Sequence, residues 1–356
     1  MALAKTNKLY FYAICMLWVS FLYAQSIKGV VLDASTNQPI ESASVYFDNT
    51  SIGTSTNDKG EFEIALKEDV SSALVISFLG YETALLQSYS PDKFYKVLLL
   101  EAINTLDEVV ISTDDGMPRE MKLEHFRAQF IGRSKIAKSC RILNEEVLNL
   151  SYNKKKKTLT ASAYEPIRIQ NEDLEYLISF DIKTFVINYA YINIDRNKHV
   201  VRGVSYTGTS YYKSLAADED AIQVKKKRNE AYNGSVLHFM RALRNKRLKE
   251  EKFTIYSEGF RVDPYRYISI SELNDSKWYQ VKLRAPLSVR YQRKFQSEIK
   301  LPFKLSKSDS KPYYNVEIKV DTYGNYSPIG AFYFIGHMGD QRIGDSLPYD
   351  YEPSKR

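Results

Sequence analysis

The chain has 356 residues, of which 44% are apolar and 26% charged, a balance that excludes wholesale disorder and fits about two domains. Its 50 basic and 43 acidic residues give a formal net charge of +7. Aromatic residues make up 13% of the chain and include 28 tyrosines, an excess that favours strands over helical bundles.

The first 24 residues have the pattern of a secretory signal peptide. Two lysines precede the uncharged, mostly apolar run Leu9–Tyr23, and Ala24 supplies the small side chain that a signal peptidase needs before Gln25. We therefore predict that the chain is exported. An uncleaved anchor is the alternative, because the charge-free run continues to Ile27 and about 20 apolar residues span a bilayer.

Cysteine content limits how an exported chain of this sequence can be stabilised. Cys15 lies inside the apolar run, so Cys140 is the single cysteine left after cleavage and no internal disulfide can form. We expect Cys140 to pack in the protein core. An intermolecular bridge is the alternative.

Charge is divided unevenly along the chain. Residues 26–112 hold five lysines, no arginine and 13 acidic residues, whereas residues 113–356 hold 43 basic and 30 acidic residues. The formal charges of −8 and +13 predict a boundary near residue 113. They indicate either that the second part faces an anionic surface or polymer, or that the two parts attract each other. Ordinary solubility charge is the alternative, and nucleic acid is a poor partner for an exported chain.

Residues 27–101 alternate apolar and polar side chains in short runs. In Gly60–Leu66, for example, Phe62 and Ile64 lie on one face and the two glutamates on the other, the period of a half-buried strand. Residues that favour turns separate the runs, so the pattern predicts an antiparallel β-sandwich of about seven strands. The other runs are Ile27–Asp33, Ser42–Phe47, Leu74–Phe78 and Phe94–Glu101.

The same region resembles a known domain family. The elements that carry the resemblance follow each other in order: Ile27–Asp33, Gln38–Ile40, Ala43–Val45, Gly53–Thr56, Asn57–Phe62 and Ser77–Tyr81. Together they are similar to the carboxypeptidase-regulatory-like domain, a transthyretin-like β-sandwich of Gram-negative envelope proteins. In that family the module stands beside a separate peptidase domain and is itself non-catalytic. The resemblance therefore implies a folding or interaction module in the cell envelope.

The next segment, Leu106–Ser112, resembles the connection between this domain and the plug of TonB-dependent outer-membrane transporters. The roughly 240 residues that remain are too few for a plug and a transporter barrel. We predict an extended strand that pairs within the second domain, with pairing to the sheet edge of a partner as the alternative. Polar, turn-forming residues follow at 113–118.

The second part of the chain combines helices and strands. The spacing of apolar residues predicts helices at 119–141, interrupted at Gly132, and at Ala216–Arg247, where Ser235 is placed as an N-cap. Glu175–Tyr191 is interpreted as a long strand pair. A hairpin tip is predicted at Asn153–Lys157 and further strands at Phe253–Tyr256, Tyr267–Leu273, Trp278–Leu283, Tyr314–Val320 and Ala331–Gly336.

These patterns predict a mainly β protein with an N-terminal seven-stranded Ig/transthyretin-like β-sandwich, followed by an α+β domain with an antiparallel sheet and a helical insertion. The predicted units are a signal peptide (1–24), the regulatory-like sandwich (26–102), a linker strand (103–118) and an α+β domain of unknown function (119–356). Motifs of the last unit are similar to uncharacterised envelope proteins with the same first module, a similarity that implies no activity. Among them are Ala231–Ser235, His238–Leu243 and Leu347–Pro353.

No residue set in the sequence points to catalysis. A zinc carboxypeptidase needs a His-x-x-Glu motif and a later histidine, and none of the four histidines begins such a motif. The serine-hydrolase elbow Gly-x-Ser-x-Gly and the phosphate loop Gly-x-x-x-x-Gly-Lys are also absent. We predict no catalytic, cofactor-binding or metal-binding residues. The histidines are expected at the surface or in hydrogen-bonded core positions: His125, His199, His238 and His337.

One basic cluster is a candidate contact for an anionic surface. At about 100° per residue, Arg241 and Arg244 share one face of a predicted helix. We predict that seven residues contact an anionic envelope surface or the acidic first domain: Lys225, Lys226, Lys227, Arg228, Arg241, Arg244 and Arg247.

The sequence thus favours an exported, non-enzymatic binding or scaffold protein of the cell envelope, located in the periplasm or at the outer membrane or cell surface. Its expected partners are an envelope protein or an anionic surface or polymer. Membrane association is left open, without a transmembrane segment after signal cleavage. Two alternatives stand beside this reading: a hydrolase with unrecognised residues, and an accessory subunit of a TonB-dependent outer-membrane transport system.

Overall fold

The computed structural model describes residues 25–67, 70–102, 115–273, 277–302, 304–305 and 312–354. The predicted signal peptide and the predicted strand Leu106–Ser112 lie outside these residues. Within the described residues the buried apolar side chains form three clusters, taken here in chain order.

The first cluster lies between two sheets, which together we call the first sandwich. Its strands are β1 (Ser26–Asp33), β2 (Ser44–Phe47), β3 (Gly53–Ser55), β4 (Glu61–Ala65), β5 (Leu74–Ser77), β6 (Ala84–Leu86) and β7 (Phe94–Leu99). They form a three-stranded sheet in the order β4-β1-β7 and a four-stranded sheet in the order β3-β2-β5-β6. Ile27 and Ile64 of one sheet and Val45 and Ile76 of the other are buried. The predicted seven-stranded β-sandwich is confirmed.

Strand direction differs from the prediction at one edge of the first sandwich. β1 pairs antiparallel with β4 but parallel with β7, with Lys28 opposite Phe94. The expectation of a wholly antiparallel sandwich is therefore wrong here. The preceding strand, β6, belongs to the other sheet, so β7 is reached by a crossover rather than a hairpin, and a crossover permits parallel pairing.

The second cluster lies under a six-stranded antiparallel sheet. The elements are helix α1 (Arg119–Phe130) and strands β8 (Cys140–Ile142), β9 (Leu148–Asn153), β10 (Thr158–Ala163), β11 (Ile167–Asn171), β12 (Tyr176–Asn193) and β13 (Lys198–Ser214). The strand order is β8-β11-β12-β10-β9, and β13 pairs with β12. The predicted hairpin tip at Asn153–Lys157 is confirmed by the pairing of β9 with β10.

β12 is one continuous strand of 18 residues. The prediction of a strand pair at Glu175–Tyr191 is therefore wrong. β12 pairs with β11 along its first part, with β10 along its later part, and with β13 on its other side. No glycine or proline interrupts the run, so nothing in the backbone ends the strand before Asn193.

Aromatic rings hold α1 on this sheet. The Phe126 ring centroid lies 4.7 Å from that of Phe185, and the Phe130 centroid lies 5.0 Å from that of Phe180. Gly132 follows the helix with a φ of 108°, a conformation that glycine adopts without steric cost. The predicted break at Gly132 is confirmed, and the chain continues as a short 3₁₀ turn rather than as the rest of the predicted helix.

Two further helices lead to the third cluster: α2 (Ile222–Tyr232) and α3 (Val236–Arg244). The side chain of Ser235 accepts a hydrogen bond from the backbone N–H of His238 at 3.1 Å, which confirms the predicted N-cap. Met240 and Leu243 are buried, so α3 turns its apolar face inward.

The third cluster lies between two antiparallel sheets, in the orders β15-β14-β18-β19-β24 and β16-β17-β22-β23. The elements are β14 (Phe253–Ser257), β15 (Phe260–Arg261), β16 (Ile268–Glu272), β17 (Trp278–Leu283), β18 (Leu287–Tyr291), β19 (Phe295–Lys300), β20 (Lys304–Leu305), β21 (Pro312–Tyr313), β22 (Val316–Asp321), β23 (Tyr326–Ser327), β24 (Tyr333–Gly336) and the short helix α4 (His337–Asp340). The expectation of a mainly β chain is confirmed, and the described residues of its second part contain few helices. The hairpin β18–β19 was not predicted.

Candidate functional site

The seven basic residues predicted to contact an anionic surface lie on and beside α2 and α3. Lysines 225–227 and Arg228 belong to α2, Arg241 and Arg244 belong to α3, and Arg247 follows α3. Their environments differ, because two of the guanidinium groups have partners inside the protein while the others lie nearer the surface.

Arg228 is buried, with 3% of its surface exposed. Its Nε donates to the carbonyl oxygen of Leu174 at 2.9 Å, and its Nη2 donates to Ser214 Oγ at 3.1 Å. The guanidinium also pairs with Glu219 and lies over the Tyr176 ring, 3.9 Å from the centroid. These contacts use the guanidinium donors inside the protein, so Arg228 is poorly placed to meet an external anion.

Arg241 binds three backbone carbonyls. Its Nε donates to Tyr323 at 2.9 Å, its Nη1 to Tyr351 at 2.8 Å and its Nη2 to Tyr349 at 2.6 Å. The planar guanidinium has the fork geometry for such a contact. Arg241 therefore fastens the C-terminal segment to the third cluster.

Four of the other five basic residues lie beside a carboxylate or an aromatic ring. These are Asp220, 2.7 Å from Lys225; Asp173, 2.9 Å from Lys227; Glu251, 3.4 Å from Arg247; and the Tyr279 ring, whose centroid lies 4.3 Å from Arg244. Lys226 is exposed. The contact with an anionic surface stays a prediction for these residues, with Arg228 and Arg241 the weakest members.

The first sandwich docks on β13, which forms a long antiparallel hairpin with β12. The backbone N–H of Asn49 donates to the carbonyl of Ser210 at 2.8 Å, and that of Tyr212 donates to Thr50 at 3.0 Å. Asp48 Oδ1 accepts from the backbone N–H of Ser210 at 2.8 Å, and burial raises the pKa of this carboxyl to about 6. The turn after β2 thus pairs with β13 by main-chain hydrogen bonds.

The C-terminal segment completes this joint. Asp350, which is buried, accepts from the backbone N–H of Ser51 at 2.7 Å and from its hydroxyl at 2.5 Å. The N–H of Tyr349 donates to the carbonyl of Asn49 at 2.7 Å. In the described part of the chain, none of the seven basic residues takes part in these contacts. The joint thus consists of backbone and side-chain hydrogen bonds, and Arg241 of α3 supports it indirectly by binding the carbonyl of Tyr349.

A second basic region, which the sequence analysis did not single out, surrounds a cleft of about 580 Å³ between the end of α1 and β8. Apolar side chains form part of its lining, among them Ile131, Ala137 and Ile142. Four cationic residues also line this basic cleft: Arg127, Arg133, Lys138 and Arg141. The density of basic residues just after the predicted break in the helix was the available signal.

Carboxylates pair with two of these four cations. Arg127 Nε donates to Glu145 Oε1 at 2.6 Å, and Arg141 Nη2 lies 2.7 Å from a carboxylate oxygen of Glu172. Arg133 and Lys138 are exposed, and neither has a carboxylate partner among the described residues. The cleft therefore carries cationic groups whose charge the protein does not neutralise locally.

The thiol of Cys140 also lines the basic cleft. Cys140 is partly buried and packs against the edge of the second cluster, so the expectation of a core position is met only in part. Burial, helped by the nearby carboxylate of Asp345, raises the thiol pKa to about 12. The thiol is therefore neutral at physiological pH and lacks the thiolate character of a nucleophile.

A histidine pair lies near the basic cleft. The rings of His125 and His199 have centroids 3.9 Å apart, and His125 Nδ1 lies 2.8 Å from the hydroxyl of Tyr189. Burial lowers the pKa of both histidines, the neighbouring His199 lowers that of His125 further, and the positive charge of Arg133 lowers both. His125 Nε2 and His199 Nδ1 are buried and have no hydrogen-bond partner among the described residues. The expectation of a fully hydrogen-bonded core position is not met here.

His238 fits that expectation better. Its Nδ1 accepts from the backbone N–H of Gly234 at 3.1 Å, and its Nε2 lies 3.3 Å from a carboxylate oxygen of Glu251. Over the described ranges, no three His, Cys, Asp or Glu side chains are grouped as a metal site would require. None of the helices described is both long and apolar enough to cross a bilayer.

Two comparisons with individual proteins give limited similarity. A region of 92 residues, 26% of this chain, is 32% identical to the TonB-dependent receptor SusC of Bacteroides thetaiotaomicron, and it spans 9% of that receptor. A solved structure of a candidate carbohydrate-binding protein from Bacteroides uniformis covers 83% of this chain and 98% of its own at 9% identity, with a TM-score of 0.17. A TM-score this low supports no inference about fold or function.

The family comparison is specific to the first part of the chain. Residues 27–111 match the model of the CarboxypepD_reg-like domain. The match includes all seven strands of the first sandwich except the first residue of β1. It confirms the resemblance seen in the sequence, so residues 27–111 are a CarboxypepD_reg-like domain.

Proposed function

We propose that the chain is an exported, non-enzymatic binding or scaffold protein of the cell envelope. The observation that carries this proposal is the CarboxypepD_reg-like domain at residues 27–111, a module type whose resemblance implies an envelope interaction role rather than catalysis. The module is fixed to the rest of the chain by the joint of residues 48–51 with β13 and residues 349–350. A fixed module suits a scaffold that presents two surfaces in a set arrangement.

The similarity to SusC favours a second, more specific role. Because the matched protein is a TonB-dependent receptor, the shared region supports an accessory subunit of a TonB-dependent system in the outer membrane. The chain matches only a small part of that receptor, so this role concerns assembly with a receptor rather than transport itself.

Export is tested by fractionating cells that carry the full chain with a C-terminal epitope. We expect the protein in the envelope fraction, with its N-terminus at Gln25 by mass spectrometry. Ala24→Trp should leave the leader attached, because the peptidase requires a small side chain at the cleavage site. Recovery of the intact wild-type chain in the cytosol would contradict the proposal.

The partner is tested by cross-linking in intact cells, followed by identification of the cross-linked protein. Capture of a TonB-dependent receptor supports the accessory-subunit role. Capture of another envelope protein supports the general scaffold role and contradicts the accessory role. Isolation of the full chain only as an uncross-linked monomer contradicts both.

A further inference from the structure

The basic cleft is suited to an oxyanion. We propose that the cleft between α1 and β8 binds a phosphate group, either free or at the end of a larger molecule. This inference deepens the proposed binding role. It rests on the proposed function only for the cellular location in which the protein meets the ligand. It concerns a surface separate from the seven basic residues of the sequence prediction.

Local charge is the first argument. The cleft brings together Arg127, Arg133, Lys138 and Arg141, and the two carboxylates that pair with members of this set are Glu145 and Glu172. These four cations and two carboxylates sum to +2, without the nearby carboxyl of Asp345, whose pKa is raised by burial. A phosphate monoester carries about −1.5 to −2 at neutral pH, which matches this excess.

Donor geometry is the second argument. Arginine guanidinium groups present a planar fork that binds the oxygens of a phosphate in pairs, and a lysine ammonium adds a compact point charge. Arg133 and Lys138 are exposed at the cleft and have no carboxylate partner among the described residues, so a ligand does not have to displace one. Arg127 and Arg141 lie beside them with part of their donors already used.

The lining is the third argument. Ile131 and Ala137 are buried, and Ile142 is half-buried, so part of the cleft lining is apolar. An apolar wall lowers the local dielectric and strengthens the attraction between cations and an anion. Because the thiol of Cys140 is neutral, it adds no negative charge that would oppose binding.

The backbone around the cleft is held in place. Ser134 Oγ accepts from the N–H of Ala137 at 2.9 Å, and the same hydroxyl donates to Asp345 at 2.5 Å. Arg342 Nε donates to the carbonyl of Gln129 at 3.0 Å. These bonds fix both sides of the turn at Gly132, so the cationic side chains start from a defined backbone and less ordering is needed on binding.

The test is calorimetric titration of the purified full chain with pyrophosphate at low ionic strength. We expect saturable binding that weakens by at least about tenfold in the double variant Arg133→Glu with Lys138→Glu. The matched control, Lys154→Glu with Lys155→Glu, makes the same change of charge at the exposed hairpin tip between β9 and β10 and should bind within about twofold of wild type. Arg133→Lys keeps the charge but loses the fork and should weaken binding by a smaller factor.

Thermal unfolding of each variant separates lost binding from lost folding, because the substituted side chains are exposed and should leave the melting temperature unchanged. Equal loss of affinity in the cleft variant and the hairpin control would overturn the proposal, as would the absence of saturable binding to the wild type. Failure of export would leave this result untouched, and failure of pyrophosphate binding would leave the envelope role untouched.

The source of the phosphate is distinguished with vesicles. Sedimentation with vesicles containing phosphatidic acid, whose headgroup is a phosphate monoester, would assign the phosphate to a lipid headgroup if pyrophosphate displaces the protein from them. Binding of pyrophosphate with no sedimentation would assign it to a soluble molecule. Sedimentation that is unchanged by both pyrophosphate and the cleft variant would show that the vesicles meet another surface, and pyrophosphate binding in the cleft would then be assigned to a soluble molecule.

Discussion

The two basic regions of the chain differ in what their cations contact. In the α2–α3 region, Arg228 and Arg241 donate to backbone carbonyls inside the protein. At the basic cleft, whose lining is partly apolar, Arg133 and Lys138 are exposed. The same residue types therefore stabilise the fold in one region and are available to a ligand in the other. A formal charge of +13 for residues 113–356 combines both uses.

Replacing a buried cation tests the first half of this comparison and should give the largest effect. We expect Arg228→Ala to lower the free energy of unfolding by about 3 kcal/mol, because it leaves a buried carbonyl at Leu174 without its donor and removes the pair with Glu219. The lower end of the usual range applies because Glu219 is itself largely solvated. Chemical denaturation of the purified full chain measures the change.

Lys226→Ala is the matched control for this variant. Lys226 lies on the same helix and is exposed, so its removal should change the free energy of unfolding by less than about 0.5 kcal/mol. If the two variants lose equal stability, the contrast between buried and exposed cations on α2 is wrong.

The importance of geometry over charge is tested at Arg241. Arg241→Lys keeps the positive charge but cannot reach the carbonyls of Tyr323, Tyr349 and Tyr351 together. We expect a loss of about 2 kcal/mol in stability and faster proteolysis of the C-terminal segment. Limited digestion followed by mass spectrometry locates the cuts. Unchanged digestion would show that the charge alone suffices.

Much of the fold was predictable because its signals are local. Alternating side chains located most strands of the first sandwich, and turn residues separated them. The hairpin β18–β19 was not predicted because its turn contains neither glycine nor asparagine, the residues that usually mark such turns. Gln292 and Arg293 take the positive φ values there, 48° and 58°. The parallel pairing of β7 with β1 was not predicted, because the alternating pattern of a strand does not show which sheet the preceding strand belongs to.

The candidate site was less predictable, for a different reason. A run of basic residues shows how much charge a helix carries. It does not show whether a basic side chain will donate hydrogen bonds to the backbone carbonyls of a distant segment. The partners of Arg241 lie 82 to 110 residues away in the sequence. The basic cleft likewise depends on β8 returning beside the end of α1, a tertiary arrangement that spacing within one helix does not show.

The smallest expected effect links the basic cleft to the histidine pair. Among the charged groups near His125 and His199, Arg133 lowers the pKa of both rings and Glu124 raises it. Removing the cation in Arg133→Ala should therefore raise both pKa values. Proton NMR titration of the two imidazoles measures this directly. Lys138→Ala removes the other exposed cation of the cleft, which is not among the groups that shift either ring, and should leave both values in place.

The stability of Arg133→Ala has a predictable dependence on pH. Both histidines have a lower pKa in the folded state than the unfolded value of 6.5. Their contribution to stability is therefore complete above pH 6.5. It is lost as the pH falls below that value, because the unfolded chain then binds more protons than the folded chain. Arg133→Ala reduces the difference between the two states, so it should lose less stability than wild type between about pH 7.5 and 5.5. Asp48, whose raised pKa acts in the opposite direction, is unchanged in both chains and cancels in the comparison. Chemical denaturation at the two pH values measures this loss in each chain. An equal loss of stability in wild type and Arg133→Ala would show that Arg133 does not act on the histidine pair.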